Sequence, residues 1–163
     1  MKTILVKLLL LIAVVCFYLN GFAQNSRNQV VLTSTPLNWT LSTAVQLENE
    51  QQISNAFNIR AYSNNNTGYS VYVRVSNMTN TSGTPMPASM NKLQLYNQIS
   101  STGASPVTSK ITLSQTDQRI IYDIDKTDNI GDIFYYNAFF GPVGYDYAPG
   151  TYTFTVLFTM TQP

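Results

Sequence analysis

Histidine is missing from this 163-residue chain, and cysteine occurs once, at Cys16. Charged residues make up only 10% of the sequence. Each shortage excludes something. Without histidine, and with no cysteine after residue 16, most nucleophile–base pairs and the usual zinc sites cannot be assembled. The scattered charges form neither a basic patch for nucleic acid nor a polybasic stretch for anionic lipid. One cysteine cannot make an internal disulfide, so stability must come from an apolar core and its sheets.

Long apolar runs are also scarce, and the one present lies at the start. Met1, Lys2 and Lys7 flank an apolar run over residues 8–18, followed by Leu19-Asn20-Gly21-Phe22-Ala23. A basic start, a short apolar run and small residues at Gly21 and Ala23 predict a secretory signal peptide over 1–23, cut between Ala23 and Gln24. The run is too short for a retained membrane helix, so membrane contact is expected only during export. A lipoprotein signal wants a small residue before its cysteine. Val14-Val15 precede Cys16 and Phe17 follows, so Cys16 is expected to leave with the leader. Of nine basic residues, Lys2 and Lys7 go too, leaving seven against eight acidic ones in a single domain, 24–163. The protein is expected to be secreted, periplasmic or on the cell surface, and the Ala-Gln junction has a bacterial look.

What fills the domain is alternation. Over residues 151–160, Tyr152, Phe154, Val156, Phe158 and Met160 fall on one face, with Thr151, Thr153, Thr155 and Thr159 on the other. A period of two predicts a half-buried strand, here a closing strand packed on Trp39, Val71 and Val73. Tyr69, Val71, Val73 and Val75 predict a second strand, and Phe57, Ile59 and Ala61 a third. Asn64-Asn65-Asn66-Thr67-Gly68 between them has turn composition, so the pair is expected to form a hairpin. Leu37, Trp39 and Leu41 predict an early strand after Pro36, with Trp39 as a core anchor. Residues 42–54 are ambiguous between a turn of helix and strand with loop, the latter preferred. Leu93 and Leu95, Ile111 and Leu113, and residues 134–140 (FYYNAFF) complete the set. Ile120, Tyr122 and Ile124 are expected inward there, with Ile121, Asp123 and Asp125 outward. Eight or nine strands at this spacing predict an all-β, antiparallel Greek-key, immunoglobulin-like β-sandwich.

Two groups of residues are candidates for chemistry. Asp117, Asp123, Asp125, Asp128 and Asp132 form an acidic cluster, but a glycosidase needs two carboxylates facing across a cleft. Asp123 and Asp125 are instead expected on one outward face. Calcium at residues 123–132 is the alternative use of such oxygens, yet Thr127, Asp128 and Phe134 break the EF-hand pattern. No catalytic residue, metal or cofactor is therefore assigned. The aromatic stretch Phe134, Tyr135, Tyr136, Phe139, Phe140, Tyr145 and Tyr147 divides between core and surface. Tyr135, Tyr145 and Tyr147 are the candidate contacts to a glycan or a protein partner.

From residue 134 to 160 the chain runs through an aromatic strand, a loop, Pro149-Gly150-Thr151-Tyr152 and a threonine-alternating strand. This resembles the C-terminal end of bacterial spore-coat U and fimbrial-subunit-like secreted β-sandwich proteins, and Trp39-Thr40-Leu41 is similar to their first strands. The resemblance implies an exported subunit of a surface fibre or adhesive coat, partnered by other subunits or an assembly chaperone. It also implies completion of a neighbour's sandwich by an added strand. The chain lacks the cysteines that many such subunits pair, and its lead, residues 24–35, offers Val30 and Leu32 in alternation. Expected, then, is a bacterial surface structural or adhesive subunit that works by binding or assembly and not by catalysis. The alternative is a secreted carbohydrate-binding module that uses the loop tyrosines. The exported protein is predicted to begin at Gln24; intact-mass measurement checks this, and a mass retaining residues 1–23 contradicts it.

Overall fold

The valines of residues 71–75 set the architecture: each is fully buried, and so are Ile59 and Ala61 on the preceding strand. Both runs turn an apolar face to one shared core. Residues 28–34, 37–64, 66, 68–80, 85–100, 103–147 and 151–162 are described in a computed structural model. The signal-peptide expectation, with Cys16, Ala23 and Gln24, lies outside them.

Among the described residues there are nine strands: β1 (Gln29–Ser34), β2 (Gln51–Tyr62), β3 (Tyr69–Asn80), β4 (Asn91–Ile99), β5 (Ser105–Pro106), β6 (Ile111–Thr112), β7 (Gln118–Asp123), β8 (Asp132–Phe140) and β9 (Tyr152–Thr161). They form two antiparallel sheets, ordered β1-β2-β8-β4-β6 and β5-β7-β3-β9. One buried cluster joins their inner faces, with Ile59, Phe134 and Tyr136 from the first sheet and Val71, Val73 and Val75 from the second. The fold is all-β, as the alternation predicts. Strand β8, in the middle of the larger sheet, is buried along most of both faces.

Four local expectations are corrected. Strands β2 and β3 do not form a hairpin; they belong to different sheets, and the turn between them bridges the two layers. Gly68 makes this possible. It sits at φ +84°, and a Cβ there would lie 2.0 Å from the carbonyl oxygen of Asp123. Residues 37–41 are irregular instead of a strand, although Trp39 still packs on the core. The ambiguous segment contains a short helix, α1 (Ala44–Glu48), in place of the expected strand with loop. Its sequence carries the reason: Thr43 and Gln46 form a reciprocal capping box.

The fourth correction concerns β7. The β3–β7 register shifts between Val71, opposite Ile121, and Tyr72, opposite Arg119. Ile120 is the extra residue, and both Ile120 and Ile121 are fully buried. The bulge moves the period by one, so Tyr122 and Ile124 are exposed while Asp123 turns inward. Asp123 is therefore not on an outward face with Asp125.

Asp123 joins a buried polar group at one end of the sheets. The Tyr69 hydroxyl donates to Asp132 Oδ2 at 2.7 Å, and Thr127 Oγ1 donates to the Ser63 carbonyl while accepting from the Ser63 N–H. Burial first, and then the bond to Asp132, push the Tyr69 phenol far up, so it stays a donor. Tyr136 is the exception in the core. It is fully buried, stacked on Phe57 at 5.5 Å, and its hydroxyl has no hydrogen-bond partner among the described residues. Replacing it should remove a desolvation cost without opening a cavity of any size. Tyr136→Phe is predicted to stabilise the fold by about 1 kcal/mol, raising the melting temperature by roughly 2–4 °C. A thermal melt showing a lower midpoint contradicts this.

Candidate functional site

An open part of the core lies between β1 and β9, the strands that end one side of each sheet. Strand β1 carries Val30, Leu32 and Ser34 opposite Ala61, Ile59 and Phe57, which places them on the inner face. Yet Leu32 is 45% exposed. Strand β9 keeps the strict alternation the sequence predicts, but its inward residues are only half-buried. It pairs with β3 along its length, and among the described residues no strand follows it in that sheet. The expected closing strand thus stands at a rim. Between the two rims runs a groove of about 440 Å³, with Leu32, Leu37, Trp39, Phe57, Val156 and Phe158 among its lining residues.

Trp39, Phe57, Phe154 and Phe158 are among the groove's lining rings, and Phe140 stacks behind two of them. Phe140 stacks on Trp39 at 5.9 Å and on Phe154 at 6.1 Å, and Phe57 meets Phe158 at 5.5 Å. These contacts tie β8, β2 and β9 to the irregular segment holding Trp39. Such a lining is rigid and apolar, and a groove of this kind accepts an extended chain with alternating apolar side chains.

Helix α1 braces the groove's end. The Leu47 carbonyl accepts from the Val143 and Gly144 N–H groups, at 3.0 and 2.8 Å. Next to it, Glu50 pairs with both Lys92 and Lys110, Lys92 also donates to the Gly141 carbonyl at 2.8 Å, and Lys110 lies 3.7 Å above the Phe139 ring. Partial burial works to raise the Glu50 pKa, but the hydrogen bonds and charges of the two lysines outweigh it and hold the carboxyl below its ordinary value.

The three candidate tyrosines are not gathered into one site. Tyr145 and Tyr147 lie in the loop between β8 and β9. Tyr145 is exposed, and its hydroxyl donates to Glu48 Oε1 at 2.9 Å. Tyr147 packs half-buried against the cluster of Met86, Phe140 and Val143. Tyr135 is on β8 itself, five residues before the strand's end, so roughly 17 Å of strand separates it from that loop. The acidic residues are divided as well. Asp123 and Asp132 are buried, whereas Asp117, Asp125 and Asp128 are exposed. Asp128 caps its own turn, accepting from the N–H groups of Ile130 and Gly131. Among the described residues no group of three or more acidic or sulfur ligands could hold a metal, and no helix is long and apolar enough to cross a membrane. Sequence reasoning missed the groove because alternation identifies inward residues without saying whether another layer covers them. The exposed inward Leu32 and the half-buried inward residues of β9 are its local signs.

Glu50→Gln is predicted to lower stability by about 1 kcal/mol at pH 7. Because the folded pKa lies below 4.5, the difference from wild type should hold above that pH and shrink as the pH falls through the folded value. Denaturant titrations at several pH values check it, and a gap that widens on acidification contradicts it. A search of protein-family models found no match to this chain, and none was found among curated proteins.

Proposed function

We propose that the protein is an exported bacterial surface subunit, structural or adhesive, that acts by binding and assembly and not by catalysis. The groove between β1 and β9 carries this reading. A strand inserted there from another subunit or an assembly chaperone hydrogen-bonds the rim and covers Leu32, Val156 and Phe158. These side chains are already more than half buried, so each contributes roughly 1 kcal/mol or less when covered, and the hydrogen bonds along the rim must supply the rest against the ordering cost. A Greek-key, immunoglobulin-like sandwich is the finer architecture this reading carries, supported by two antiparallel sheets packed on one core. Among the described residues every connection after β2 passes from one sheet to the other, so only β1 and β2 are both sequential and paired, fewer hairpins than that architecture has.

Leu32→Asp tests the proposal, because Leu32 lines the groove and is already 45% exposed, so the fold tolerates the change. The exported wild-type protein is expected to elute from size exclusion as assemblies larger than a monomer, with the variant folded by circular dichroism but monomeric. Wild-type protein that remains monomeric, or a variant that assembles equally well, overturns the strand-addition reading.

A further inference from the structure

The outer face of the larger sheet has an order that strand periodicity alone does not reveal. Thr33 lies opposite Asn58, Asn58 opposite Tyr135, and Tyr135 opposite Asn97, so one row crosses β1, β2, β8 and β4. At ~4.8 Å per strand this row is about 14 Å wide. The next row on β8 and β4 holds Asn137 opposite Gln94. One tyrosine is thus surrounded by amides on three strands.

Two of the amides, Asn97 and Asn137, are positioned. Asn97 Oδ1 accepts from the Gln98 N–H at 2.9 Å, and Asn137 Oδ1 accepts from the Asn55 N–H at 2.8 Å. Each bond orients its side chain and leaves the NH2 group as a donor. Asn55 itself is at φ 49°, in the irregular step of β2 between Ile53 and Phe57. The β4–β8 register also shifts, between Leu95 and Asn97, and Tyr96 is the extra residue. It is 64% exposed, on the bulge beside Tyr135. Bulges of this kind re-aim side chains, and here one adds an exposed tyrosine to β4 next to Asn97.

We propose that this face binds a neutral polysaccharide. Sugar hydroxyls both donate and accept, as amides do, and the apolar face of a sugar ring stacks on tyrosine. None of these seven side chains is charged, and Arg60, the charged neighbour along β2 on the same face, donates to the Tyr62 hydroxyl. The site is fixed on strands and lies on the opposite side of its sheet from the groove. The adhesive half of the proposed function is thereby given a ligand class, while the two sites remain independent.

Affinity electrophoresis of the exported protein in gels containing β-glucan, xyloglucan or mannan tests the proposal, with alginate and heparin as anionic counterparts. Retardation by at least one neutral polysaccharide is expected, weakened about tenfold or more by Tyr96→Ala and by Tyr135→Ala. Tyr145→Ala and Leu32→Asp should leave it unchanged. Tyr96 is exposed, so its loss does not endanger the fold, and melting curves accompany both tyrosine variants. Retardation by none of the neutral polymers, retardation only by the anionic ones, or insensitivity to Tyr96→Ala overturns the proposal. Capture of a protein partner through Tyr96 and Tyr135, without any polysaccharide binding, overturns it as well. Loss of binding in Leu32→Asp alone moves the ligand to the groove and also overturns it.

Discussion

The contact of Val71, Val73 and Val75 on β3 with the cluster of Ile59, Phe134 and Tyr136 is what joins the two sheets. A fully buried side chain of this size contributes about 1.5–3 kcal/mol, and no disulfide assists it. Every other element is placed by this constraint. Strand β8 is central because residues 134–140 are apolar enough to be covered on both faces. The connection from β2 to β3 crosses between layers, and the two strands turn their apolar sides to the same interior from opposite sheets.

The two ends of the sheets are secured differently. At one end Tyr69, Asp132, Asp123, Ser63 and Thr127 form a buried polar group, and Gln162 reaches back from the end of β9 to Ser63. At the other, rings replace hydrogen bonds, with Trp39, Phe140 and Phe154 in a stack and the Glu50 lysine pairs beside it. With both ends held, the long side between β1 and β9 is where apolar surface remains partly uncovered. An open side flanked by rigid ends suits the capture of an extended chain better than a flexible surface does, because less order must be imposed on binding.

Residues 151–160 show how much was legible in advance. Their alternation predicts the strand and its inward set correctly. It says nothing of the strand's place in the sheet, because a rim strand and a central strand have the same period. The same limit explains Tyr135. Its outward direction follows from Phe134 and Tyr136 facing in, whereas its cross-strand amide neighbours, Asn97 and Asn58, belong to strands distant in sequence. Where a bulge intervenes, the period itself misleads. Ile120 shifts β7 by one position and buries Asp123, and Tyr96 does the same for β4.

The all-β class, the inward valines and aromatics, the turn at Gly68 and the lack of histidine and cysteine chemistry were determined by the sequence alone, since each depends on local period or on residue type. Tertiary structure alone decided which strands pair, where β1 and β9 leave a groove, and which outward side chains share a row. Those outcomes depend on register between distant segments, and register is settled by how completely the two inner faces cover each other.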